Sequence, residues 1–143
     1  MLSRIIRAVF AVGLVVSVTP AIAQDAPDLT GKWTGAVTGG VRFGGGDLAP
    51  ADETPTFVHP EGRPDYTLTI EKQEGRGLMG TWGSVDGSET IQGVIRLDNT
   101  ELLLVDEDSF FSARLISATE MEFCNQTLVL NERMALCFLL KKQ

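Results

Sequence analysis

From Tyr66 to the end of the chain, short segments of alternating apolar and polar residues are separated by turn residues. In YTLTIEKQ (66–73), Tyr66, Leu68 and Ile70 share one face, and this period is typical of a half-buried β-strand. The pattern recurs in ETIQGVIRL (89–97), where Ile91, Ile95 and Leu97 share a face. The other segments of this kind are 78–84, 101–107, 109–117, 121–127 and 133–142. Together with GKWTGAVT (31–38), they predict eight strands and no helix.

The spacing of these segments predicts how the strands are connected. After the first connection the strand starts lie about 8 to 13 residues apart, which indicates hairpins between antiparallel neighbours. A meander of eight strands can avoid exposed edges by closing on itself. The predicted fold class is therefore all-β, an eight-stranded antiparallel up-and-down barrel.

The N-terminus has the three parts of a secretion signal. Arg4 and Arg7 precede an apolar stretch (8–18) and the sequence TPAIA (19–23), so we expect cleavage after Ala23 and a single domain over 24–143. An apolar stretch of about 11 residues falls short of the roughly 20 that span a bilayer. The expected location is the periplasm or the medium, with no stable membrane insertion of the mature chain.

The charge of the chain excludes one class of partner. The formal net charge is −7, and removal of residues 1–23, which hold two arginines and no acidic residue, makes it −9. An acidic protein repels phosphate backbones, so nucleic acid is not an expected partner.

Two cysteines, Cys124 and Cys137, follow the signal. In an oxidising compartment a disulfide is the expected state, and two thiols with the lone His59 make a poor metal-ligand set. If a two-residue turn at 130–131 joins the last two strands, Cys124 and Cys137 face each other across them.

The first connection, residues 39–65, holds six glycines and four prolines. This composition predicts a long loop at one rim of the barrel. Loops of this length are either mobile connections or lids that fold over a ligand.

Residues for catalysis are scarce. Nucleophilic mechanisms need a base beside the nucleophile, and the single histidine, His59, lies in the 39–65 loop. The acidic run VDEDS (105–109) lacks the glycine-centred loop of an EF-hand, and its position favours a solvated turn over a calcium site. The chain is therefore predicted to be no enzyme and to have no cofactor and no metal site.

The last strand is apolar on both faces. In MALCFLL (134–140), Met134, Leu136, Phe138 and Leu140 alternate with Ala135, Cys137 and Leu139. An outward apolar face indicates a cover, either the 39–65 loop or a second subunit, which makes a homo-oligomer through the last strand one interpretation.

The motif GKW (31–33) at the start of the first strand resembles the calycin group of barrels, which includes lipocalins and avidins. In lipocalins this tryptophan packs across the closed floor under a basic side chain from the last strand. The resemblance implies a structural role for Trp33, with Lys141 or Lys142 as its cover. The stretch from Tyr66 to Asp108 also resembles small exported bacterial proteins that have no assigned activity.

The sequence LTGKWT (29–34) resembles the start of the first strand of avidins. This resemblance is closer than the one to lipocalins but covers a shorter stretch of the chain. Avidin pockets use an asparagine directly after this phrase and a serine four residues later. Gly35 and Gly39 stand at these places, so tight biotin binding is not expected.

These observations favour an exported binding protein for a small molecule. Its predicted ligand-binding residues lie towards the open end: Tyr66, Trp82, and Phe110 or Phe111. The alternative is a protein-interaction module, such as a periplasmic inhibitor, that acts through an exposed loop. A rim cavity of about 300 Å³ or more favours the first function, and a solid interior with an ordered protruding segment favours the second.

Overall fold

The computed structural model describes residues 25–43, 54–129 and 132–143. The predicted signal peptide (1–23) and the turn at 130–131 lie outside the described residues. The described part is all-β and has the strands β1 (Gly31–Phe43), β2 (Thr56–Val58), β3 (Tyr66–Glu74), β4 (Gly77–Ser84), β5 (Gly87–Ile95), β6 (Glu101–Val105), β7 (Ser109–Ser117), β8 (Glu120–Val129) and β9 (Glu132–Lys142). No described segment forms a helix of the length and apolarity that a membrane crossing requires.

Eight of these strands close into a barrel. From β3 to β9 each strand pairs antiparallel with the next, and β1 pairs with β3 on one side and with β9 on the other. The β1–β9 ladder runs from Trp33, opposite Lys142, to Phe43, opposite Arg133. The predicted eight-stranded up-and-down barrel is confirmed.

The structure differs from the expected loop over 39–65 at both ends. Strand β1 continues to Phe43, and its second half pairs with the short strand β2 where β3 no longer reaches. Glycine allows this continuation, because a Cβ at Gly40 would clash with the carbonyl oxygen of Ala135 and with the side chain of Leu136. Residues 44–53 lie outside the described part of the chain.

The inner face of the barrel forms the core. Leu68 and Ile70 are buried beside half-buried Tyr66, and Ile91 and Ile95 are also buried, as the alternation predicts. Leu97 is 86% exposed, because β5 ends at Ile95 and the chain turns away before residue 97. The other buried apolar side chains on β4 and β6–β9 are Leu78, Trp82, Leu102, Leu104, Phe111, Ala113, Met121, Phe123, Leu136, Phe138 and Leu140.

The cysteines form the expected disulfide on the outer wall. Cys124 lies directly opposite Cys137 in the β8–β9 ladder, and the two are bonded. The bond accounts for Cys137, one of the outward apolar residues of the last strand. A disulfide is also consistent with export. Ala135 and Leu139, on the same face, are exposed in the structure, so the cover predicted for this face is not seen in the described residues.

Candidate functional site

One end of the barrel is closed by the segment that precedes β1. Leu29 is buried in this segment, and its carbonyl oxygen accepts a hydrogen bond of 3.0 Å from the indole N–H of Trp33. Gln73 fixes the segment from β3: its Oε1 accepts from the backbone N–H of Leu29 at 3.0 Å, and its Nε2 donates to the carbonyl of Pro27 at 2.8 Å. Trp33 is fully buried in this floor, where the calycin resemblance places it.

Lys142 is the basic side chain that covers Trp33. Its Nζ lies 5.4 Å from the centroid of the Trp33 ring and donates to the carbonyl of Asp28 at 3.2 Å. Lys141 instead lies 3.8 Å from Glu120, with which it forms an ion pair. Of the two lysines that the resemblance allows, the structure selects Lys142.

Above the floor, aromatic rings fill much of the interior. Trp82 lies 5.4 Å from Tyr66, 4.5 Å from Phe123 and 5.0 Å from Phe138, measured between ring centroids. Phe111 lies 6.1 Å from Trp82. These distances are those of rings in direct contact, so Trp82 and Phe111 pack in the core.

Three of the four predicted ligand-binding residues therefore meet inside the barrel. Tyr66, Trp82 and Phe111 point inward, and half-buried Tyr66 lies at the upper edge of the cluster. Phe110 is 66% exposed on the outer wall, because neighbouring residues of a strand point to opposite faces. Of the alternatives Phe110 and Phe111, Phe111 is therefore the one that points into the barrel, and ligand binding by these residues stays a prediction.

The open end carries a buried polar cluster that the sequence analysis did not identify. Ser109, Asn125 and Thr127 are buried, and the Thr127 hydroxyl lies 2.7 Å from the Ser109 hydroxyl and 3.2 Å from Asn125 Oδ1. The sequence MEFCNQT (121–127) contains the pattern that predicts this cluster. The alternation that buries Met121 and Phe123 also turns Asn125 and Thr127 inward.

Three carboxylates converge at the same end. Glu89, Asp106 and Asp108 each offer an oxygen within 4.8 Å of the others, and Glu89 lies opposite Trp82 in the β4–β5 ladder. Asp106 is held in place because its Oδ1 accepts the backbone N–H groups of Asp108 (3.1 Å) and Ser109 (2.6 Å). We call Glu89, Asp106 and Asp108 the acidic rim.

The acidic rim shifts the pKa of one of its own carboxyl groups. Partial desolvation raises the pKa of Glu89 above its ordinary value, and the neighbouring carboxylate of Asp106 raises this pKa further. We call the open end of the barrel the mouth. On its opposite side, the basic residue Arg42 is paired with Glu132 at 3.0 Å. The arrangement can attract and hold a cation.

A cavity of about 370 Å³ lies beside this mouth. It is lined by residues of β1, β8 and β9 and by Pro55. This cavity is shallow and widely open to solvent, and its lining residues are not those predicted from the sequence.

The fold and these two ends define the class of the protein: a closed eight-stranded antiparallel β-barrel with a plugged floor and an acidic open end. Comparisons with protein-family models, with curated proteins and with solved structures found no match to this chain.

Proposed function

We propose that this protein is an exported, non-catalytic, calycin-like barrel that binds a small, positively charged molecule at its open end. The observation that carries the proposal is the convergence of Glu89, Asp106 and Asp108 next to the Tyr66–Trp82 ring pair. Carboxylates this close repel one another, and a cationic ligand relieves that repulsion.

The ring packing supports a ligand at the mouth of the barrel. Trp82 and Phe111 are 5% and 2% exposed, so the space between them is occupied by their own rings. Tyr66 remains half-buried at the upper edge of the cluster, where a flat apolar group can stack on it. An organic cation with one aromatic or apolar end fits this combination, since aromatic faces also attract positive charge.

The alternative function, a protein-interaction module, is favoured by one observation. Phe57 is 76% exposed on β2, and β2 pairs only with β1 in the described sheet. An edge strand with an exposed aromatic side chain can dock an extended segment of another protein.

Native mass spectrometry of protein purified from its own periplasm separates the two functions. A retained mass of small-molecule size that is lost in Glu89→Gln and kept in Phe57→Ser supports the proposal. A retained mass of protein size that is lost in Phe57→Ser and kept in Glu89→Gln contradicts it and supports the alternative. Glu71→Gln is the matched control for the loss of one exposed carboxylate.

A further inference from the structure

The outer wall of the barrel carries an apolar groove across β3–β6, which reaches Val105 at the end of β6. Its volume is about 590 Å³, and Met79, Val94 and Leu103 line it while being 54%, 43% and 50% exposed. Val94 lies opposite Gly77 on one side and opposite Leu103 on the other, and the missing side chain at Gly77 leaves the groove open. We call the outward surface of β3–β6 around these residues the wall.

The charges that border the groove balance one another. On β3, Lys72 lies 2.7 Å from Glu74, and both also line the groove. Towards the floor, Arg96 lies 2.6 Å from Glu101.

The balanced charges continue onto the next strands. Arg114 lies opposite Glu101 in the β6–β7 ladder and 3.8 Å from Glu122 on β8. The wall and its border thus carry alternating signs without a net charge, in a chain whose formal net charge is −7.

We propose that two copies of this chain associate wall to wall around a two-fold axis. A two-fold interface brings the same patch of both copies together, so the patch must be complementary to itself. Alternating Arg and Glu residues around an apolar centre meet that requirement, because an arginine of one copy can face a glutamate of the other. The acidic rim repels a second copy, and the neutral wall does not.

The size of the wall sets the expected strength of the dimer. The wall is four strands wide, with about 4.8 Å between strands, and about seven residues long, with a rise of about 3.4 Å per residue. Its footprint is therefore about 450 Å². Stable complexes bury about 800 Å² on each partner, so this contact belongs with small, reversible interfaces. Flexible Met79 can fill the gap above Gly77 of the other copy.

This surface differs from the last strand, which the sequence suggested as an oligomer contact. On β9, Cys137 is used by the disulfide, and exposed Ala135 lines the cavity beside the mouth and not the groove of the wall. The dimer proposal is independent of the ligand proposal, since the wall and the mouth share no residue.

Sedimentation equilibrium of the exported protein over a range of concentrations tests the proposal. We expect a reversible monomer–dimer equilibrium in wild type and at least a hundredfold weaker association in Leu103→Glu, because each dimer then carries two charges in its apolar centre. Leu128→Glu places the same charge at an exposed apolar position on β8, outside the wall; it is the control and should dimerise like wild type. Circular dichroism checks that both variants fold, and Met79→Lys provides a second wall variant.

Three results would overturn the proposal. The first is a monomer at every concentration up to the millimolar range. The second is a dimer that Leu103→Glu and Met79→Lys leave unchanged while Leu128→Glu weakens it. The third is a monomer that binds the apolar dye 8-anilinonaphthalene-1-sulfonate at the wall, with binding lost in Leu103→Glu, which would assign the groove to an apolar small molecule.

Discussion

At the scale of single residues, Trp33 is the most consequential side chain of the floor. It is fully buried, donates to Leu29 and lies beneath Lys142. Replacing a buried Trp by Ala costs about 3–5 kcal/mol. We expect Trp33→Ala to lower the free energy of unfolding by this amount in urea titrations. The control Phe57→Ala removes an exposed ring and should change the free energy of unfolding by less than about 0.5 kcal/mol. Equal urea midpoints for Trp33→Ala and wild type would show that Trp33 is not part of the core.

Glu89 gives a prediction about pH. Its pKa is raised in the folded protein, so the folded state holds this proton more tightly than the unfolded chain does. Its contribution to stability is therefore fully present below the ordinary pKa and is lost as the pH rises through the raised pKa. Glu89→Gln should melt at a higher temperature than wild type at pH 7, with a gain of less than about 1 kcal/mol because exposed charges are screened.

The comparison of melting curves at two pH values checks this account of Glu89. The advantage of Glu89→Gln should disappear below about pH 4, where the wild-type carboxyl is protonated as well. A variant that is destabilised at pH 7 would mean that the charged carboxylate makes a favourable interaction in the folded state.

At the scale of strands, the disulfide ties β8 to β9. Cys124 and Cys137 are 13 positions apart, and a loop of this size stabilises by about 3 kcal/mol in the chain-entropy model. Thiol titration of the exported protein, denatured without a reductant, should find no free thiol. Reduction of the disulfide should lower the free energy of unfolding by about 3 kcal/mol, the value for a loop of this size. Two titratable thiols per chain would contradict the prediction.

The strands also show what the sequence could and could not predict. From β3 onward each strand has its own alternation of apolar and polar residues and its own polar turn. The local sequence pattern was therefore sufficient to predict these strands and their order. The continuation of β1 to Phe43 depends on the close approach of β9 at Gly40, a tertiary contact without a local signal. The acidic rim joins Glu89 of β5 to Asp106 and Asp108 after β6, and this meeting depends on a register that the alternation leaves open.

For the whole molecule, we expect that the avidin resemblance does not extend to the ligand. Gly35 stands where avidins use an asparagine, and a Cβ at this position would clash with the carbonyl oxygen of Leu139. Each hydrogen bond missing from a buried polar ligand group costs about 1–3 kcal/mol. Calorimetric titration with biotin should show no binding in the nanomolar range, and a nanomolar dissociation constant would restore the avidin assignment.

For the whole molecule, we propose that the open end selects positive charge. Calorimetric titration with phenethylamine, which is protonated at pH 7, and with the anion 3-phenylpropionate tests it with probes of similar size. We expect binding of the amine alone. Affinity should be at least about fivefold lower in Glu89→Gln, since one charge about 4 Å away contributes about 1 kcal/mol even in water. Glu71→Gln should bind like wild type. Equal binding of the anion, or an amine affinity unchanged in Glu89→Gln, would contradict the selection of positive charge by the open end.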